Sequence, residues 1–440
     1  MIGAMKRATL TLAGLIFTVT AIAQDLDLPP GVLLLSRVES HFNEELQRLG
    51  TITCLETVQR EHQAAHGKMR PLDTVRLEVL TNGDKESFAS PGDRKFSENH
   101  PMSYAGSGAL GTGLFGPYLK AILLSGGAAS QYKGEQEVGG QRLAHYDYQI
   151  PLLVSGQMIQ TAEGSGKVGL HGSYWVDPQT YDVTRLEMNA DDIPLTLPVA
   201  GLTTSINYAP THLANDLVVL LPQAAEVRLV MNSGEINHNR IQFTHCRVFG
   251  AESTIDFNGP GPAEQDSRFG VASVDDTLRP LPGGLRIAVK LRSLISGDMA
   301  VGTLIDGVVA SSVMAKHTVV IPADSPVRGR IRRMESYTNP FPYVIVGLEF
   351  TEVEVQGIRY RFYADLVDMD RPPGVELTLA TKNTTTTQGN VLSGDLSTRQ
   401  TIETLSLPNL QGVAAFFYKG RKLYLPQDFR TSWKTLPLKP

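Results

Sequence analysis

Apolar residues recur at helical spacing near the start of the chain and alternate with polar residues over most of its remaining length. Between residues 30 and 49 they stand three or four positions apart, as Val32, Leu35 and Val38 show, and Gly50 follows. This spacing gathers apolar side chains on one helix face, and glycine is typical of the position after a helix. The pattern predicts an amphipathic helix over Pro30 to Leu49, and a similar pattern predicts a second helix over Leu114 to Leu124.

Alternating apolar and charged residues predict β-strands through the rest of the chain. In residues 75–79 valine and leucine alternate with arginine and glutamate, and residues 285–291 repeat the alternation. A period of two places one set of side chains on each face of a sheet. Short turn signals separate neighbouring strands, namely Asn82-Gly83, Gly139-Gly140, Asp177-Pro178, Gln356-Gly357 and Lys419-Gly420. The order predicts antiparallel hairpins.

The length and composition of the chain indicate more than one β-rich domain. The chain has 440 residues, which is longer than one ordinary domain. Of these residues 41 are glycine and 26 are proline, a composition that suits turn-rich β structure. Residues 258–280 are rich in Gly, Pro, Asp and Ser and are interpreted as a linker. We expect one domain over residues 30–257 and a second over 281–437, with a polar insertion at about 371–408.

The N-terminus has the pattern of a cleavable signal peptide. Lys6 and Arg7 precede an uncharged stretch over residues 8–22, and Ala21-Ile22-Ala23 matches the small residues that signal peptidase reads. We expect residues 1–23 to be removed after Ala23, which predicts a periplasmic or secreted protein without an integral membrane span. The alternative is an N-terminal membrane anchor, for which the stretch is short. The formal net charge of −5 argues against nucleic acid as a partner.

Two cysteines, Cys54 and Cys246, bracket the first predicted domain. An even number of cysteines in an exported chain favours a disulfide. The alternative is two separate buried thiols.

The first domain resembles the periplasmic lipoprotein-carrier fold, also called outer-membrane lipoprotein-sorting-like, within a bacterial envelope family. The resemblance lies in residues 46–57 (LQRLGTITCLET), where a helix leads into a strand, and in residues 174–180 (YWVDPQT) with the return strand 185–187 (RLE). It covers about half the chain, residues 30–257. It implies an antiparallel half-barrel covered by helices.

The second domain carries a shorter resemblance. Residues 320–331 (VIPADSPVRGRI) are similar to a strand of the small β-barrels in conjugation and secretion pores, and differ from them at Asp324-Ser325. The expected fold is therefore mainly β, an antiparallel half-barrel covered by helices and followed by a second small β-barrel domain.

Large apolar side chains of the first domain are candidates for the lining of a ligand cavity. They are Phe115, Tyr118, Tyr174, Trp175 and Met188. The concave face of a half-open sheet must be covered or occupied, because exposed apolar area is unfavourable in water. We expect this face to bind a lipid or a lipidated chain, gated by the glycine-rich loop of residues 103–116. The alternative is a solid core beneath the helices.

A basic run in the second domain offers a different function. Arg328, Arg330 and Arg332 stand two positions apart and would share one strand face, where an envelope protein could bind. The chain would then be a structural or assembly scaffold of an envelope complex without a small-molecule ligand. The alternative is a solvated outer face.

No catalytic, cofactor or metal site is predicted. Residues 106–111 and 111–116 both read GxGxxG, but no strand pattern precedes them as dinucleotide binding requires. The chain has no GxSxG motif of the serine hydrolases. His62 and His66 do not share a helix face, and Asp365, Asp368 and Asp370 are interpreted as solvated carboxylates rather than a calcium site. We expect a non-enzymatic protein.

Overall fold

The fold is that of a computed structural model, which describes residues 29–82, 85–93, 95–97, 104–105, 109–161, 164–214, 217–249, 278–338, 341–376 and 412–437. The predicted signal peptide lies outside the described residues. So do most of the predicted linker and of the polar insertion, and four residues of the glycine-rich loop.

Two helices are described, α1 (Pro30–Arg48) and α2 (Pro117–Leu123). The first agrees with its prediction within one residue. The second begins three residues later than predicted, because residues 114–116 form a turn and Pro117 stands at the first helical position. Proline suits that position, since its missing N–H would have no partner inside the helix.

The N-terminal strands form an antiparallel sheet of ten strands and a separate hairpin. The strands are β1 (Thr51–Gln63), β2 (Arg70–Asn82), β3 (Lys85–Ala89), β4 (Ala129–Val138), β5 (Gln141–Ile150), β6 (Met158–Thr161), β7 (Gly164–Lys167), β8 (Gly169–Val176), β9 (Val183–Asp191), β10 (Val199–His212), β11 (Val218–Met231) and β12 (Ile236–Val248). The sheet order is β3-β2-β1-β12-β11-β10-β9-β8-β5-β4, and β6 pairs with β7. We call this part of the chain the first unit.

The remaining strands build a second unit. They are β13 (Arg279–Pro280), β14 (Arg286–Leu291), β15 (Ile295–Ser296), β16 (Leu304–Val309), β17 (Val313–Ala315), β18 (Thr318–Ile321), β19 (Pro326–Tyr337), β20 (Tyr343–Val355), β21 (Ile358–Arg361), β22 (Ala364–Met369), β23 (Val375–Glu376), β24 (Ala414–Lys419), β25 (Tyr424–Leu425) and β26 (Arg430–Thr435). Its main sheet runs β13-β21-β20-β19-β16-β14-β26-β22, with β24 on β20. The predicted fold class is confirmed: the chain is mainly β, with a helix-covered half-barrel first.

Helix α1 packs closely on the first sheet at its β4–β5 edge. The hydroxyl of Tyr146 donates a hydrogen bond to the carbonyl of Gly31 at 2.7 Å. A Cβ atom at Gly31 would lie 2.4 Å from the ring of Tyr132, so only glycine allows this approach. Val38, about two turns further on, is fully buried. The helix therefore covers one face of the half-barrel.

A disulfide joins Cys54 to Cys246. The two residues lie on the neighbouring strands β1 and β12, where the register shifts between Thr53 and Leu55. The bond therefore ties β1, the first strand in chain order, to β12, the last strand of the first unit.

The two units pack against each other. Val75 of β2 and Val301 form a parallel bridge, with the N–H of Val301 donating to the carbonyl of Thr74 at 2.8 Å. One cluster of buried apolar side chains includes members of both units. The boundaries of the two predicted domains stay a prediction.

Candidate ligand-binding cavity

The centre of the concave face, beneath α1, is filled by side chains. Tyr174 is fully buried and stacks on Tyr146 with ring centroids 5.1 Å apart, and Tyr148 packs against Tyr174 at 6.1 Å. The cavity remaining beside α1 measures about 30 Å³, which is room for only about two water molecules. This part of the half-barrel is therefore a solid core.

A larger cavity of about 370 Å³ lies beside α2, where the second unit meets the first. Its apolar wall consists of Leu72, Leu110, Tyr118, Met158, Ile159, Leu202, Val227, Leu229 and Met231. Its other lining residues are His62, Ala109, Gly111, Thr112, Gln160, Thr161, Thr204, Glu235, Asn237 and Tyr337. All of these belong to the first unit except Tyr337, which lies at the end of β19.

The described part of the glycine-rich loop forms one side of this cavity. A Cβ atom at Gly111 would lie 2.9 Å from Cγ2 of Val227, so glycine lets the loop come close to β11. The backbone N–H groups of Gly113 and Phe115 donate to the carboxylate of Glu86, at 2.6 and 2.9 Å. Glu86 therefore fixes the loop by accepting hydrogen bonds from the segment that leads into α2.

A second carboxyl group, Glu56 of β1, is buried in the same core and is 3% exposed. Burial, and then the negative charge of Glu86, raises the pKa of Glu56 to about 8. Burial also raises the pKa of Glu86, against the hydrogen bonds from the loop. Burial, and then Glu86, raises the pKa of the Tyr118 hydroxyl to about 12. At neutral pH the neutral form of Glu56 is therefore favoured in the folded protein.

The polar end of the cavity comes from the ends of three strands. His62 lies near the end of β1 and its Nδ1 is 3.3 Å from Oδ1 of Asn237, near the start of β12. Glu235 belongs to the turn between β11 and β12. The hydroxyl of Tyr337 donates to the carboxylate of Glu335 at 3.0 Å. The cavity thus combines an apolar wall with hydrogen-bonding groups at this end, and Thr112, Gln160, Thr161 and Thr204 add further polar side chains to its lining.

The structure separates the five residues predicted to line an apolar concavity. Tyr118 lines the 370 Å³ cavity. Phe115 lines the small space beside α1 and packs edge-on against Phe243, with centroids 4.9 Å apart. Tyr174 and Met188 belong to the solid core. Sequence analysis missed the residues of β10 and β11, although the alternation of Val227, Leu229 and Met231 could have indicated them.

Trp175 lies on the opposite face of the sheet from its neighbour Tyr174, because consecutive strand residues point to opposite faces. Its ring stacks on His145 with centroids 4.9 Å apart, and Arg185 lies 5.7 Å over it. Its indole N–H donates to Oε1 of Gln136 at 2.9 Å. Trp175 therefore does not line the concave face together with Tyr174.

The three arginines of the basic run are paired within the chain. Arg330 is 4% exposed and its guanidinium binds Asp93 of the first unit at 2.7 Å. Arg332 binds Glu349 at 2.7 Å. Arg328 is the most exposed of the three and contacts Glu352 and Glu354 at 3.6 and 3.5 Å. A buried Arg330 offers no group to an external partner, and binding through Arg328 stays a prediction.

Two of the three candidate calcium ligands, Asp368 and Asp370, have protein partners. Asp370 accepts the backbone N–H of Arg430 at 2.9 Å, and Asp368 lies 3.6 Å from Arg371. Within the described ranges, no three His, Cys, Asp or Glu side chains are grouped as metal ligands would be. In the same part of the chain, neither helix is both long and apolar enough to cross a membrane.

The fold and the site define a helix-covered β half-barrel with an open cavity at its junction with a second β unit. The chain is similar to an outer-membrane lipoprotein-sorting protein domain from Vibrio parahaemolyticus, with 12% identity, 51% of this chain and 97% of that chain covered, and a TM-score of 0.27. It is similar to a DUF1329 family protein from Desulfovibrio piger, with 10% identity, coverage of 51% and 96%, and a TM-score of 0.30. It is also similar to a LolA superfamily protein from Nitrosomonas europaea, with 10% identity, coverage of 49% and 94%, and a TM-score of 0.25. No protein-family model and no curated protein matches the chain.

Proposed function

We propose that the protein is an exported, non-enzymatic envelope protein that binds an apolar group, such as an acyl chain of a lipid or lipidated protein, in the 370 Å³ cavity. The single observation that carries the proposal is the cavity itself, with its wall of aliphatic and aromatic side chains. Its volume lies within the range of about 300–1,000 Å³ that is usual for ligand pockets.

The position of the cavity refines the hypothesis drawn from the sequence. The core beneath α1 is filled, so the bound group would lie beside α2 and the glycine-rich loop instead. Contact with the wall of Leu229, Val227 and Ile159 would remove apolar surface of the ligand from water, which contributes about 25 cal/mol for each Å². The loop of residues 109–116, held by Glu86, would close one side of the site.

A cavity-filling substitution tests the proposal. Leu229 is half-buried and lines the cavity, so Leu229→Trp would occupy the space with an indole ring. We expect the purified wild-type protein to bind an environment-sensitive apolar dye and to carry lipid that mass spectrometry detects in organic extracts. The variant should bind the dye at least about tenfold more weakly, a loss of about 1.4 kcal/mol.

The matched control is Leu153→Trp, which adds the same ring at a side chain that is 90% exposed and outside the cavity. This variant should bind the dye like the wild type, and both variants should keep the circular dichroism spectrum of a β protein. Equal binding of the dye by the wild type and Leu229→Trp would show that the dye does not bind in the 370 Å³ cavity. A wild-type protein that neither binds the dye nor carries lipid would refute the proposed function.

A further inference from the structure

Among the described residues that line the 370 Å³ cavity, the one carboxylate is not matched by a lysine or an arginine. Glu235 is the sole carboxylate among the described lining residues, and that lining contains no lysine or arginine. A glutamate side chain carries a negative charge at neutral pH unless its surroundings prevent it. The described lining thus has no permanent positive charge for an anionic ligand to pair with.

The nearest helix end does not supply such a charge either. Helix N-termini attract anions through their free N–H groups, and α2 begins next to the cavity with Tyr118 in the lining. The N–H groups of Gly113 and Phe115 just before it already donate to Glu86. Glu86 therefore occupies the turn before α2, and at the start of the helix Pro117 has no N–H and the N–H of Tyr118 donates to the carbonyl of Gly113.

Two of the hydrogen-bonding groups of the lining, His62 and Asn237, lie at the same end as Glu235. His62 and Asn237 contact each other at this end of the cavity, and the aliphatic wall of Val227 and Leu229 extends from it along β11. A bound amphiphile would place its chain along the wall and its polar head beside Glu235, since burying the head against the wall would leave its polar groups without hydrogen bonds.

We propose that the cavity selects amphiphiles whose head group carries no negative charge, and that Glu235 is the residue that determines this selection. The inference rests on the proposed function, because it assumes that an apolar chain binds here. An anionic head beside Glu235 is repelled without compensation, whereas a cationic head is attracted. At about 4 Å between the charged head group and the Glu235 carboxylate, even water-like screening changes the affinity about fivefold. The affinity falls for an anionic head and rises for a cationic one.

Three probes with the same twelve-carbon chain test the inference: laurate, monolauroylglycerol and dodecyltrimethylammonium, each displacing the dye below its micelle concentration. We expect the ammonium probe to bind most tightly and laurate to bind at least about fivefold more weakly than the neutral probe. Glu235→Gln should reduce the difference between laurate and the ammonium probe to below about twofold, and Glu235→Lys should reverse the order.

The control is Glu226→Gln, which removes the same charge from a side chain on β11 that is 61% exposed and outside the cavity lining. It should leave the order of the probes unchanged. If no probe binds the wild type, the proposed function fails. If the probes bind but laurate is equal or best, or if Glu226→Gln changes the order as much as Glu235→Gln, the proposed function stands and the selection by Glu235 is refuted.

Discussion

Glu56 is a carboxyl group in a place where the sequence pattern would put an apolar residue. It stands between Cys54 and Val58 on the inward face of β1, and both of these neighbours are fully buried. Within the folded core the charged form is disfavoured by loss of water and by Glu86. The groups that face this pair include the hydroxyls of Tyr118 and Tyr208, whose pKa values are raised by burial and then by Glu86.

The titration of Glu56 should therefore lower the stability of the folded protein as the pH rises. The folded pKa of Glu56, about 8, is above its ordinary value of 4.5, so the folded state binds the extra proton between these pH values. The free energy of unfolding then falls by up to about 1.4 kcal/mol per pH unit in that range. Glu56→Gln mimics the protonated form, so we expect the variant to match the wild type near pH 5 and exceed it in stability near pH 9.

Urea unfolding at several pH values measures this difference. Glu137→Gln serves as control, because Glu137 is exposed on β4 and its variant should follow the wild type at every pH. A stability difference between Glu56→Gln and wild type that does not grow between pH 5 and pH 9 would contradict the prediction.

The sequence did not predict which face of the sheet an individual side chain would occupy. Tyr174 and Trp175 were both expected in the concavity, although alternation along a strand allows only one of two neighbours there. The sequence pattern showed which residues were apolar but not which face was concave. The partners of Arg330 could not be predicted either, because Asp93 lies 237 positions away.

At the scale of elements, the glycine-rich loop depends on one side chain of β3. Glu86 accepts hydrogen bonds from the backbone N–H groups of Gly113 and Phe115. Hydrogen bonds to a charged group contribute about 1.5–3 kcal/mol each. We expect Glu86→Ala to raise the hydrogen-exchange rate of residues 109–116 by about tenfold or more. Hydrogen–deuterium exchange with mass spectrometry of peptides covering this loop measures the change.

The control removes a carboxylate of β4 that pairs with an exposed arginine. Glu135 lies 3.3 Å from Arg142, whose side chain is 81% exposed, and Glu135→Ala should leave exchange in residues 109–116 unchanged. Unchanged exchange in Glu86→Ala as well would show that packing, and not Glu86, holds the loop.

Elements with strong periodicity were predictable, and those that form the cavity were less so. Helix α1 follows its 3.6-residue pattern, and the hairpins at 139–140 and 177–178 follow their turn signals. Strand β10 has small and polar residues, such as Thr203, Thr204 and Ser205, among its apolar ones, so alternation is weak. This strand supplies Leu202 and Thr204 to the cavity. The cavity could therefore not be located from the sequence, because part of its lining comes from a strand with weak alternation of apolar and polar residues.

At the scale of the whole molecule, buried charges lie where the two units meet. Arg60 and Asp73 form an ion pair with nitrogen–oxygen distances of 2.6 and 2.5 Å. Arg333 and Glu335 of β19 form another at 2.8 Å, and the Arg60 charge acts on Glu335 across the interface. Two positive and two negative groups balance, which is the condition under which charges can be buried. Their arrangement links the second unit to the cavity through Tyr337, which donates to Glu335.

Removing Glu335 should affect both stability and ligand binding. Glu335 is fully buried and Arg333 is 2% exposed, so Glu335→Ala would leave a buried guanidinium without its carboxylate, at a cost of about 3–5 kcal/mol. Tyr337 would also lose its hydrogen-bond acceptor. We therefore expect a lower urea midpoint and weaker binding of the apolar dye by residual folded protein, measured at urea concentrations below the transition.

Two further variants separate the ion pair from other effects of the substitution. Glu354→Ala on the adjacent strand β20 removes a carboxylate paired with the exposed Arg328 and should cost at most about 1 kcal/mol. The double variant Arg333→Met/Glu335→Leu replaces both charges with apolar groups and should recover stability relative to Glu335→Ala. It should not recover dye binding, because the carboxylate of Glu335 that accepts from Tyr337 is still missing. Full recovery of binding in the double variant would mean that stability of the junction, and not the position of Tyr337, controls the cavity.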